Sequence, residues 1–178
     1  MSGDDATGWA LSARTGDPVA AAAFVRATQA EVWRFVAALV DPASADDLTQ
    51  ETYLRAFRAL PAYEGRANAR TWLFGIAKRA CADHLRALGR QRRLSGRLAG
   101  LAATGDVVEP DPAGVLSAGD LLRRLPPERR SAFLLTQVAG LSYAEAARVE
   151  GCPVGTIRSR VARARSELIE ALATAAVA

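Results

Sequence analysis

The chain is poor in the residues from which catalytic and metal sites are usually assembled. Among 178 residues it has one histidine, two cysteines and a single lysine, Lys78. One imidazole leaves few ligands for zinc, and Cys81 and Cys152 lie too far apart in sequence to suggest a disulfide framework; their role is open. Cys81 and His84 have the three-residue spacing of helical ligands, but both lean to the apolar side and only distant Cys152 could join them. No metal is expected. Nor is there a Ser-His-Asp set, a phosphate loop or a paired-carboxylate site, so neither catalysis nor a cofactor is expected. No apolar stretch reaches the roughly 18–20 residues that cross a bilayer. The amino-terminal MSGDDATGWALSARTGD lacks the basic and apolar regions of a secretory signal. A soluble cytoplasmic protein without membrane insertion is the expectation. Strand-like runs of β-branched residues are also missing while alanine and arginine abound, so the fold class is all-α.

What the chain does have is arginine, unevenly placed. The net charge of +4 divides into −4 over residues 1–64, +8 over 65–97, −4 over 98–120 and +4 over 121–178. Two basic blocks separated by an acidic spacer suit a polyanion gripped at two places. The spacer falls in residues 94–118, LSGRLAGLAATGDVVEPDPAGVLSA, which are rich in Gly, Ala and Pro and show no sustained period. They read as a linker, with 94–116 as the connection between helical domains at 12–93 and 117–175.

In the first domain Asp17-Pro18 reads as an N-cap followed by proline at the first helical position. Phe24, Thr28, Val32, Phe35 and Leu39 then recur at helical spacing until Asp41-Pro42. A second helix is predicted from Ser44, with Asp47 as a near capping box, to Leu60, and a third over about 69–91. In the second domain Pro126-Pro127 opens a helix ending at Gly140. Ser142 and Glu145 cap a short one that Gly151 ends, and Pro153 opens the last. Two helices joined by a tight glycine turn, the second rich in arginine, outline a helix-turn-helix.

The faces of these helices separate by chemistry. On the last, Ile157, Val161, Ala164 and Leu168 share one side. Arg158, Ser159, Ala162 and Arg163 share the other, where arginine can fork onto guanine, serine can bond base edges and alanine can touch a thymine methyl. Arg160 and Arg165 flank that arc, where phosphate contacts belong. On the second helix Thr49, Thr52, Tyr53, Ala56 and Leu60 form the buried side, opposite Asp47, Gln50, Glu51, Leu54 and Arg58. An exposed leucine in an acidic and amide stripe suits a protein partner, though single exposed leucines are ordinary. On the third, Trp72, Arg79, Arg86 and Arg90 oppose Leu73, Ala77, Ala80, His84 and Leu88. An aromatic within a basic stripe suits single-stranded nucleic acid.

The segments ADDLTQETYLRAFRAL, YEGRANARTWLFGIAKRACADHLR and LPPERRSAFLLTQVAGLSYAEAARVEGCPVGTIRSRVARAR, in that order, resemble the extracytoplasmic-function (ECF, group 4) sigma factors of bacterial RNA polymerase. The resemblance covers nearly the whole chain. It implies two helical domains, sigma region 2 and sigma region 4, joined by a flexible connection, and a promoter-specificity subunit of core RNA polymerase. By the same resemblance Asp47, Gln50, Glu51 and Leu54 dock on the β′ clamp helices, and the second domain meets the β flap. The loop Tyr63 to Asn68, with Arg66, and then Trp72, Arg79 and Arg86 serve the melted −10 element. Arg158, Ser159, Ala162 and Arg163 read the −35 element. Leu73 stands where primary sigma factors carry a second wedge aromatic, so strand opening should depend more strictly on a well-matched promoter. An anti-sigma factor is a possible further partner. The alternative on the residues alone is a stand-alone helix-turn-helix regulator, usually dimeric, reading half-sites about 34 Å apart. If Arg163 reads a base, Arg163→Ala should cost about 1–3 kcal/mol at one −35 position, measured by competition against single-base promoter variants. Equal weakening on every sequence would make it a phosphate contact.

Overall fold

The structure, a computed structural model, describes residues 3–98 and 117–177, and all the regular elements among them are helical. α2 spans Pro18–Leu39, with Asp17 accepting from the amides of Val19 and Ala20 at 2.8 and 3.2 Å. Its stripe is the buried one expected: Phe24, Val32 and Phe35 are within 1 % of full burial. Phe35 meets Phe74 of α4 (Ala69–Leu98) edge to face, with centroids 5.3 Å apart. Thr28 shares a 2.7 Å hydrogen bond with Tyr53 of α3 (Ala45–Ala59), which seats that phenol in the core.

In the first domain three local features differ from the sequence reading. α3 has no capping box. Ser44 is already helical at φ −88°, ψ −4°, and its amide and hydroxyl both donate to Asp41, at 2.7 and 3.0 Å. A helix that was not anticipated, α1 at Gly3–Arg14, packs on α2 and α4 through Ala6, Ala10 and Ala13. A stripe whose fully buried members are all alanine, with Trp9 only partly buried beside them, carries little hydrophobic periodicity, so it does not announce itself. α4 runs past residue 91 to Leu98, through arginines that favour helix. The rest of the expected linker, residues 99–116, lies outside the described residues.

The second domain opens with α5 (Ala118–Arg124), whose capping box pairs Ser117 with Asp120 at the edge of the expected linker. α6 (Pro127–Phe133) continues as a π-helical turn, Leu134–Val138, and the chain reverses at Gly140 with φ +65°. α7 (Tyr143–Glu150) has the expected Ser142–Glu145 box. Gly151 closes it at φ +68°, its amide on the Ala147 carbonyl at 2.8 Å. α8 spans Val154–Val177, and Pro153 caps it rather than opening it, its carbonyl accepting from Thr156 at 2.9 Å. Ile157, Val161 and Ala164 seat α8 on α6 and α7.

Both domains share one buried core. α7 lies along α4, and α2 meets the π turn and α5. Arg70 of α4 donates twice to Glu31 of α2, at 3.0 and 2.8 Å, and once to the Ala139 carbonyl beyond the π turn at 2.7 Å. A helix end leaves carbonyls without intrahelical partners, and here the other domain supplies one of the missing donors. Lys78 reaches Glu150 at 3.1 Å, and Thr71 donates to Glu145 at 3.2 Å.

Burial pushes the Tyr53 phenol and the Cys81 thiol each up to about 12. Above their ordinary values the unfolded chain releases protons that the folded chain keeps. The stabilisation is therefore complete below about pH 9 and declines as the pH rises toward 12. Urea midpoints measured from pH 8 to pH 11 should fall, and Tyr53→Phe should flatten the part above pH 10. Phe35→Ala, at a site with no exposure, should cost about 3–5 kcal/mol in the same assay.

Candidate nucleic-acid and polymerase interfaces

The α3 patch is built from the outward side of a helix whose other side is locked into the core. Asp47, Gln50 and Leu54 are exposed, Leu54 by 53 %. Glu51 is half-buried and takes the Arg55 guanidinium at 2.7 Å, while Arg55 also reaches Asp83 of α4 at 2.6 Å. Bonds from Arg55 and then Arg86 hold the Asp83 carboxyl below the usual carboxylate range. Phe57, one turn beyond Leu54, is 38 % exposed and extends the apolar part of the patch. Its i+3 spacing from Leu54 was the signal that could have revealed it. Trp33 of α2 stands at 38 % exposure, its indole N–H bonded to Asp46 at 2.7 Å.

The loop before α4 is braced from behind. Thr7 of α1 accepts from the Ala69 amide at 3.1 Å, and Asn68 accepts from the Arg70 amide at 2.8 Å. Together they satisfy two orphan amides at the start of α4. Arg14 of α1 donates to the Tyr63 carbonyl at 3.1 Å, and Gly65 turns the chain at φ +73°. Tyr63 itself is 4 % exposed, its hydroxyl on the Ala67 carbonyl at 2.6 Å and its ring 4.8 Å from that of Trp72. It shapes the loop instead of offering a free face. Arg66 is exposed beside Glu64, and Trp72 is half-buried. Arg79 and Arg86 project from α4, Arg86 paired with Asp83. Leu73 is fully buried, which leaves Trp72 as the aromatic at this edge.

On α8 the division into faces is as the spacing predicts. Arg158, Ser159, Ala162 and Arg163 are exposed. Ser159 donates to the Thr156 carbonyl at 3.0 Å, leaving its oxygen able to accept. Arg165 bonds Gln137 at 2.8 Å. Arg160 is occupied differently: it pairs with Glu128 and Glu150 and lies 3.8 Å from the Cys152 sulfur. Among the described residues no group of three or more His, Cys, Asp or Glu could hold a metal, and no helix is long and apolar enough to cross a membrane.

Two exposed basic surfaces on separate helical domains, with an acidic and apolar patch on one, match a known family. Residues 24–91 match Sigma-70 region 2, and residues 116–168 match Sigma-70, region 4. The ECF RNA polymerase sigma factor SigC of Mycobacterium tuberculosis is 50 % identical over 164 residues, covering 92 % of this chain and 89 % of that protein. The sigma factor RpoE of Bartonella quintana, solved with the anti-sigma factor NepR, superposes with a TM-score of 0.69. It is 30 % identical, over 83 % of this chain and 93 % of that one. CnrH, solved with the cytosolic domain of CnrY, shares the fold at a TM-score of 0.73 and 24 % identity, over 96 % and 98 % of the two chains. The chain belongs to the ECF RNA polymerase sigma factors, non-enzymatic factors that direct transcription initiation.

Arg70 ties the first domain to the second through one side chain. Arg70→Met should loosen the pairing of the domains while leaving each folded, giving a larger radius of gyration in small-angle X-ray scattering and unchanged helical circular dichroism.

Proposed function

We propose that this sigma factor reads the −35 element as duplex through α8 and the −10 element as melted single strand through the loop before α4. The observation that carries the reading is the α8 arc. Arg158, Ser159, Ala162 and Arg163 stand exposed on a helix whose opposite side is buried at Ile157, Val161 and Ala164, so the arc is presented at a fixed angle. Arg158 and Arg163 supply forked donors to base edges, and Ser159 and Ala162 let the backbone come close. Arg165 serves phosphate. Arg160 would do so only by exchanging its carboxylate partners, Glu128 and Glu150.

On the first domain, Arg66 and Asn68 of the braced loop receive a base turned out of the non-template strand, and Trp72 holds the edge of the melted duplex. Extruding a base costs a few kcal/mol, which loop contacts and stacking offset. Arg79 and Arg86 follow the phosphates. Trp72 and Arg79 border α7 in the packed arrangement, so this surface opens fully only when the domains part. Asp47, Gln50, Glu51 and Leu54 dock on the β′ clamp helices, with Phe57 widening the contact, and the second domain meets the β flap. Action is cytoplasmic, where the polymerase works. An anti-sigma partner, such as the one bound by the Bartonella protein, would act by covering these surfaces.

Run-off transcription with core polymerase on a randomised promoter library tests the reading. Specific −35 and −10 sequences should emerge, and the protein alone should bind the same promoters poorly. Tight, specific duplex binding without polymerase would overturn it. Leu54→Ala should weaken core binding about tenfold or more while helical content is retained, checked by titration of labelled protein with core enzyme.

A further inference from the structure

The groove between α4 and α7 has a chemistry that duplex reading does not use. Trp72, Lys78 and Arg79 of α4 and Arg148 and Val149 of α7 line a cavity of about 280 Å³. No carboxylate is among the residues that line it. Lys78 is neutralised by Glu150 at 3.1 Å. Nearby Glu145 is already engaged by Ser142 and Thr71. Arg79 and Arg148 are both exposed, and neither forms an ion pair or hydrogen bond with another described residue.

Docking the two domains therefore places two unneutralised guanidinium groups, one from each domain, around a single groove beside an indole. The groove is thus lined by positive charge that no carboxylate of its lining balances, an environment that favours an anion. Guanidinium forks match phosphate oxygens, and an indole offers a stacking surface for a base. The volume lies near the lower bound of about 300 Å³ for ligand cavities, enough for a base and sugar, with the phosphates left toward solvent at the exposed Arg79 and Arg148.

We propose that this groove binds a free nucleotide carrying a polyphosphate, its base against Trp72 and its phosphates between Arg79 and Arg148. The site is complete only when the domains are packed, because Arg148 comes from the second domain and the other two from the first. A nucleotide bound there favours the packed arrangement by its differential affinity for it. Trp72 and Arg79 are the residues assigned above to the −10 strand, so the inference rests on that reading for the dual use of the two. Arg148 has no part in that assignment.

The test is calorimetric titration of the full chain, without DNA or polymerase, using ATP and inorganic tripolyphosphate in parallel. ATP should bind saturably and at least tenfold more tightly than tripolyphosphate. Arg148→Ala should weaken ATP about tenfold, and Arg148→Lys less. Absence of saturable ATP binding overturns the proposal, as does equal affinity for ATP and tripolyphosphate or an unchanged Arg148→Ala. A single-stranded pentadeoxynucleotide forms a third arm. If it binds parent and Arg148→Ala alike while ATP fails, the groove serves the −10 strand alone and the proposal falls. These readings need no promoter or polymerase, so their failure is distinct from failure of the run-off assay.

Discussion

The Glu150 carboxylate is the point at which the structure is most constrained. Its side chain is 4 % exposed, yet it carries a charge that a protein interior tolerates only with partners. Those partners come from three directions: Ser131 of α6 at 2.6 Å, Arg160 of α8 at 3.4 Å and Lys78 of the first domain at 3.1 Å. The residue closes α7, immediately before the left-handed Gly151 that sets the turn into α8. One charge thus fixes the geometry of the helix-turn-helix and also takes part in the contact between domains. Removal of Lys78 leaves the carboxylate with two donors from its own domain, Ser131 and Arg160, which still tie α7 to α6 and α8.

Much of this was legible in the sequence. The α2 stripe from Phe24 to Leu39, the Ser142–Glu145 box and the Gly151 stop are short-range features in which residue chemistry alone decides the outcome. The same is true of the α8 arc, where small residues and arginines share a face opposite Ile157 and Val161. What was not legible depended on partners far along the chain. The fully buried residues of α1 are alanines, and its role as a brace comes from Thr7 and Arg14 meeting a loop about fifty to sixty residues away. Ser44 is the local exception: its backbone is already helical and its amide and hydroxyl are turned back onto Asp41, so its oxygen caps no amide of α3.

Tyr63 and Arg160 illustrate how a residue of the right type can be placed for a different task. Spacing put Arg160 at the margin of the reading arc, but carboxylates on α6 and α7 claim its guanidinium. The resemblance gave Tyr63 to the −10 element, and in the structure it is the buried post on which Trp72 leans. Burial and local partners distinguish side chains that support a surface from those that form it, and neither is visible in a linear pattern.

Lys78 is the only lysine of the chain, and it stands at the seam between the domains. The protein therefore carries a single side-chain primary amine, placed where its accessibility follows the separation of the two halves. Amine-directed labelling of the native chain becomes a conformational ruler that needs no engineered probe, with the amino-terminal group as its internal reference.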